Sequence, residues 1–280
     1  MLDPAELDRQ YNARAAVPDH PDYLLRWERR SAATRKQLRC ELNHYYGNSK
    51  AETLDIFPAP QPGAPLFIFI HGGYWRALDK RDFSFLAPAY VDAGVTLAVV
   101  NYALAPEHRV DTMVRQLLRA CAWLWRNAPN FGVDPGRVHV GGHSAGGHLA
   151  AMMLAAEWPA YAHDLPGNLL RGGVCISGLY DLTPLARAPF LRDSLNLDDR
   201  DARRVSPASY RPARAVPLVT AVGGLESAEF HRQNRLIADT WPHCPVRNVA
   251  MPGYHHFSIV EALGDPRSAL FQATLRQVNS

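Results

Sequence analysis

Several features are missing from this 280-residue chain, and each absence narrows what it can be. Cysteine is scarce: Cys40, Cys121, Cys175 and Cys244 lie far apart, without a CxxC pair or a tight Cys/His spacing. Neither a disulfide framework nor a zinc site is therefore expected, and reduced thiols in a cytoplasmic protein fit best. No apolar run reaches membrane-spanning length, and the opening residues, Met1 to Asp8, are acidic where a signal peptide would be basic. A soluble protein without a membrane partner is expected. Charge of one sign is not massed anywhere. The 30 basic residues, nearly all Arg, are spread along the chain against 27 acidic ones, so the net charge of +3 gives no electrostatic footprint for nucleic acid. Internal repeats and low-complexity tracts are absent too.

What remains is a chain that is 47% hydrophobic and long enough to bury one large core. A single domain over 1–280 is expected, with residues 1–50 a helical N-terminal extension able to cover a site. Within it, Leu24, Leu25, Trp27 and Leu38 form one helical stripe that predicts an amphipathic helix over Pro21 to Leu42. After the Pro/Gly-rich turn Pro58 to Pro65, short apolar runs alternate with helical segments. The runs are Leu66 to Ile70, Val95 to Val100, Arg137 to Gly141, Gly173 to Ser177, Val216 to Val222 and Val246 to Ala250. The helices between them are expected at Phe83 to Ala93, Val110 to Asn127, Gly146 to Glu157 and Ala228 to Thr240. Continuous Val/Ile/Leu-rich strands separated by helices imply an α/β fold with a mostly parallel, doubly wound sheet covered on both faces. Asp181 to Tyr210 has little periodicity, so any cap inserted there is small.

Gly142-His143-Ser144-Ala145-Gly146 follows the strand-like Val138-His139-Val140 and opens an Ala-rich helix. That is the setting a nucleophile elbow requires, with small residues flanking a Ser in a strained strand-to-helix turn. Upstream, His71-Gly72-Gly73-Tyr74-Trp75 directly follows the strand Leu66 to Ile70. In an α/β-hydrolase this is where backbone N–H groups of Gly72 and Gly73, with that of Ala145, would face a developing oxyanion. A Ser hydroxyl needs a general base, which in this fold comes last in the chain, after an acid. Two adjacent histidines, His255 and His256, follow the last strand, and position alone does not choose between them. For the acid, Glu226 after Val216 to Val222 is preferred to Asp181, with Glu229 a weaker candidate at the start of a helix. Tyr74 and Trp75 could wall an aromatic substrate or support the loop.

Taken together, these blocks resemble the arylformamidase (kynurenine formamidase) family of α/β-hydrolases. The resemblance is carried by His71-Gly72-Gly73-Tyr74-Trp75 with Asp79-Lys80, by Gly142 to Leu149, by Ser227 to Gln233 and by His256 to Glu261. Earlier blocks, Ala33 to Lys36, Tyr46-Gly47 and Leu54 to Ile56, are similar as well. N-acylanthranilate amidases and HGG-type esterases are also similar. The resemblance implies Ser144 as nucleophile, His256 as base and Glu226 as acid, at a place where the family more often has Asp. It further implies a small-molecule aromatic formamide as substrate, no cofactor and no metal. A carboxylesterase acting on short-chain or aryl esters, or an N-acylanthranilate amidase, would use the same residues. A catalytically dead fold serving as a receptor would have lost one of them.

Overall fold

A computed structural model describes residues 2–280 of the chain. Eight strands form one sheet in the order β1-β2-β4-β3-β5-β6-β7-β8. They are β1 (Glu41–Tyr45), β2 (Thr53–Phe57), β3 (Ala64–Ile70), β4 (Thr96–Val100), β5 (Val133–His143), β6 (Gly172–Ile176), β7 (Leu218–Gly223) and β8 (Val246–Met251). β2 runs antiparallel to β1 and β4, and every pairing from β4 through to β8 is parallel. β3, β4, β6 and β7 are buried at every residue, as expected of strands covered by helices on both faces.

All six expected strands are present, with ends within a few residues except β5, which begins earlier, at Val133. The helices Val110–Asn127 and Ala228–Thr240 have the expected bounds, and the elbow helix runs Ala145–Ala155. The expected helix at Phe83 to Ala93 is broken into a short 3-10 turn, Ser84–Leu86, and the helix Ala87–Asp92.

Two strands escaped the sequence pattern. β1 is a polar edge strand, and β2 carries Asp55 in its centre, which interrupts the apolar run. Asp55 is buried there because Lys80 Nζ lies 2.6 Å away and the Asn43 N–H donates to it at 2.8 Å. A buried carboxylate is tolerable with such partners.

The N-terminal region is not helical throughout 1–50. Helices span Pro4–Tyr11, Ala13–Ala16 and His20–Gln37, after which Leu38 turns extended and the chain enters β1. Of the proposed stripe, Trp27 is buried and Leu25 is exposed, so the covered face is narrower than the four residues suggest. Trp27 packs among Phe83, Phe85 and Phe257 and donates its indole N–H to Glu261 at 3.2 Å. Asp181 to Tyr210 folds into short helices, Pro189–Leu195 and Asp199–Arg204, joined by 3-10 turns.

Candidate active site

The parallel strands deliver their carboxyl ends to one edge of the sheet, where ligands bind in open α/β folds. His71–Gly73 follows β3, Ser144 follows β5, Ser177 follows β6, Glu226 follows β7 and His256 follows β8. Residues far apart in sequence thus meet because each follows a neighbouring strand.

Ser144 sits between β5 and the helix Ala145–Ala155 with φ 57° and ψ −118°. A non-glycine residue there is strained, and the surroundings impose it. A Cβ on Gly146 would overlap the Ile70 carbonyl oxygen, so only glycine lets the elbow pack this closely against the end of β3. The Ser144 hydroxyl is buried, hydrogen-bonds to no protein group and lies at the positive end of the helix dipole.

The His71–Trp75 loop is bent back across this point. Gly73, Tyr74 and Trp75 all have positive φ, at 106°, 52° and 57°. A Cβ on Gly73 would collide with the Ala77 carbonyl, and one on Gly72 would overlap the His143 carbonyl oxygen at 2.7 Å and lie 3.2 Å from Ser144 Cβ, which places the Gly72 backbone directly beside the serine. Neither the Gly72 nor the Gly73 N–H donates to an acceptor among the described residues. Free, fixed N–H groups beside a buried hydroxyl can stabilise a developing oxyanion.

Buried side chains anchor the loop. Tyr102 donates to the His71 carbonyl at 2.8 Å and stacks on the His71 ring with centroids 4.4 Å apart. The His71 ring is fully enclosed, and burial lowers its pKa. Trp75 is completely buried and donates its indole N–H to His148 Nδ1 at 3.1 Å, while His148 Nε2 donates to the Val205 carbonyl at 2.6 Å. Trp75 therefore bridges the loop to the elbow helix, and of the two readings of this residue the structure places it in the loop's support. Tyr74 does line the cavity beside Ser144, and its hydroxyl donates to the Tyr11 carbonyl.

His256 is buried, and its Nδ1 lies 2.6 Å from Glu226 Oε2. Glu226 Oε1 accepts from the Gly223 N–H at 2.8 Å and from the Ser177 hydroxyl at 2.6 Å. A carboxylate receiving three donors holds the imidazole with its proton on Nδ1, leaving Nε2 as the basic nitrogen. Phe230 and His143 flank the ring, with centroids 4.7 and 4.5 Å away. Burial, and then the neighbouring His256, hold the His143 pKa well below its ordinary value, so a neutral ring packs on His256. Ser144 and His256 line one cavity of about 20 Å³, shared with Ala13, Arg14, Trp27 and Tyr74.

The competing candidates are occupied elsewhere. His255 turns away, with Nε2 3.2 Å from the Tyr23 hydroxyl and Nδ1 accepting the Phe257 and Ser258 N–H groups. Asp181 accepts from the Thr183 N–H and hydroxyl, and Glu229 pairs with Arg232 and Tyr11. Sequence reasoning missed Ser177, which ends an apolar strand without any motif, and Phe230, whose block was noted without a role. Among the described residues no three His, Cys, Asp or Glu side chains converge as metal ligands would, and no helix is long and apolar enough to cross a membrane.

A profile of the alpha/beta hydrolase fold matches residues 67–228, more than half of the chain. The chain belongs to the α/β-hydrolase family, and it is a hydrolase. Its resemblance to the arylformamidases extends over nearly its whole length. It is 28% identical to the kynurenine formamidase of Salmo salar over 99% of this chain and 94% of that one, and 30% identical to that of Danio rerio over 83% and 80%. A provisionally assigned thioesterase from Silicibacter sp. TM1040, known from its crystal structure, shares 31% identity and superposes with a TM-score of 0.87, covering 98% of this chain and 99% of that one.

Proposed function

We propose that this hydrolase removes a formyl or other small acyl group from an aromatic amine, with conversion of N-formyl-L-kynurenine to L-kynurenine and formate as the leading reaction. The observation that carries the reading is the Glu226–His256 hydrogen bond of 2.6 Å, with His256 and Ser144 on one cavity beside the free N–H groups of Gly72 and Gly73. The kynurenine formamidase relatives supply the substrate class.

In this mechanism Ser144 Oγ attacks the formyl carbonyl while His256 Nε2 takes its proton. The N–H groups of Gly72, Gly73 and Ala145 hold the oxyanion, each worth about 3 kcal/mol of transition-state stabilisation. His256 then gives the proton to the leaving aryl amine, and Glu226 orients the imidazole and stabilises its charged form. Water, deprotonated by His256, attacks the formyl-enzyme, and formate departs as Ser144 recovers its proton. The anilide nitrogen shares its lone pair with the ring, so its carbonyl is more electrophilic than a peptide's. The whole chain works as one unit in this scheme, with the N-terminal helices covering the site through Ala13, Arg14, Leu24 and Trp27.

Similarity to esterases of Mycobacterium tuberculosis supports a second reading, hydrolysis of short-chain or aryl esters by the same groups. Comparing kcat/KM on N-formyl-L-kynurenine, N-formylanthranilate and p-nitrophenyl acetate separates the two. Turnover of the ester alone overturns the formamidase reading. Undiminished hydrolysis by Ser144→Ala would overturn the nucleophile.

A further inference from the structure

The cavity at Ser144 is walled on one side by the N-terminal segment, through Ala13 and Arg14. The backbone on either side of Arg14 is firmly held. The Tyr11 carbonyl receives the Tyr74 hydroxyl, and the Tyr11 side chain is buried between Glu229, at 2.6 Å, and Gln233, at 3.0 Å. Asn12 caps the short helix Ala13–Ala16 through its side chain, which accepts the Ala15 N–H at 3.2 Å.

The guanidinium of Arg14, by contrast, makes no hydrogen bond or ion pair among the described residues. The other residues lining this cavity are Leu24, Trp27, Gly73, Tyr74, Leu78, Phe257 and the three polar residues His143, Ser144 and His256, so it holds no carboxylate. The guanidinium lies near a second cation, since burial and then Arg14 lower the pKa of Arg76. Arg76 itself is committed, with Nη1 donating to the Phe190 carbonyl at 2.8 Å and to Ser194 Oγ at 3.1 Å. Arg14 is exposed to solvent where it lines the cavity, and an unpaired cation in that position favours the approach of an anion.

We infer that Arg14 is the residue that recognises a carboxylate on the substrate, making this hydrolase selective for anionic aromatic acyl compounds over their neutral counterparts. This rests on the proposed acyl-transfer reading of Ser144 and goes beyond it by assigning the charge of the substrate to one side chain of the N-terminal cover. The guanidinium offers a planar fork that matches a carboxylate, and its anchored backbone limits the conformational entropy lost on binding. Because Arg14 lies on the cover and Ser144 on the scaffold, an anionic substrate would span the two. The space left at Ser144 is small, and part of its wall is the cover itself, through Ala13, Arg14, Leu24 and Trp27.

The test uses the full chain in two arms. In the first, kcat/KM is measured on N-formylanthranilate and on neutral formanilide, for the wild type, Arg14→Ala, Arg14→Lys and Arg14→Glu. The ratio of anionic to neutral kcat/KM is expected to fall at least tenfold in Arg14→Ala, mainly through KM. It should recover in part in Arg14→Lys and fall furthest in Arg14→Glu. An unchanged ratio overturns the inference. In the second arm, calorimetric titration with benzoate and with benzamide reads the anion site without turnover. Benzoate affinity is expected to drop at least tenfold in Arg14→Ala while benzamide affinity changes far less, and equal changes for both overturn the inference. Failure of every formanilide to turn over, with benzoate binding still dependent on Arg14, would sink the formamidase reading and leave this one standing. Formanilide turnover with no dependence on Arg14 in either arm would do the reverse.

Discussion

The Ser177 hydroxyl lies 2.6 Å from Glu226 Oε1, on the side of the carboxylate opposite the oxygen that holds His256. It fixes the carboxylate from the end of β6, whose Ile176 carbonyl also accepts the Ser144 N–H at 2.8 Å. A hydrogen bond to a charged acceptor is worth about 1.5–3 kcal/mol, and the Gly223 N–H remains to share the load. Ser177→Ala is therefore expected to lower kcat about tenfold with little change in KM, read by steady-state kinetics. A change confined to KM would show that Ser177 acts on binding instead.

Glu226 stands where the arylformamidases more often carry Asp, and its length is matched to its partners. Oε1 reaches Ser177 and Gly223 while Oε2 reaches His256. Glu226→Gln keeps the shape and removes the charge, and a loss of about a thousandfold or more in kcat is expected by analogy with other triads. Glu226→Asp keeps the charge and shortens the reach by one methylene, so its kcat should fall between the two. An Asp variant as active as the wild type would mean that His256 is positioned by something other than this carboxylate.

Trp75 and His148 link the glycine loop to the elbow helix. Trp75→Phe keeps a buried aromatic ring but leaves the His148 Nδ1 without its donor, a cost of about 1–3 kcal/mol. A lower melting temperature is expected together with a larger fall in kcat than rise in KM, because the groups displaced act at the oxyanion and not on the ring of the substrate. A selective loss of affinity for aromatic substrates would restore Trp75 to the binding site.

His139 and His148 are both buried with pKa values pushed down to about 4, chiefly by desolvation. Since the folded values lie below the ordinary value of about 6.5, the unfolded chain takes up protons first as pH falls. Stability from these two groups is fully present above about pH 6.5 and is lost as pH falls toward 4, where the folded form also begins to bind protons and the loss levels off. Each histidine is worth roughly 3 kcal/mol over that span by linkage. Urea midpoints measured from pH 7 to pH 4 should decline, and His139→Leu should flatten the decline. A pH-independent midpoint would refute the assignment.

The core strands were legible because their signal is local. Leu66 to Ile70 and Val95 to Val100 are apolar along their length, and the burial of β3 and β4 follows from that alone. β1 and β2 were not, because an exposed edge and a buried Asp55 break the pattern, and the charge of Asp55 is balanced by Lys80, 25 residues away. The early histidines and rival carboxylates could be ranked from chain order, but order says nothing of where a side chain points. His255 and His256 are neighbours on one loop, yet only His256 meets Glu226.

By itself, the sequence determined the parallel α/β sheet, the strand-to-helix turn at Ser144 between Gly142 and Gly146, the glycine loop at Gly72 and Gly73, and the chain order of the candidate carboxylates and histidines. Each of these depends on residue type and on spacing within a single strand-loop-helix unit. Only the tertiary structure decided that His256 and Glu226 are the pair, that Ser177 braces the acid, that Trp75 supports the loop, and that an unpaired Arg14 overlooks Ser144. Those facts arise from the ends of β3, β5, β6, β7 and β8 meeting side by side along one edge of the sheet, and from an N-terminal segment folded back over that edge. Contacts of that kind are set by the packing of the whole chain, and no local pattern encodes them.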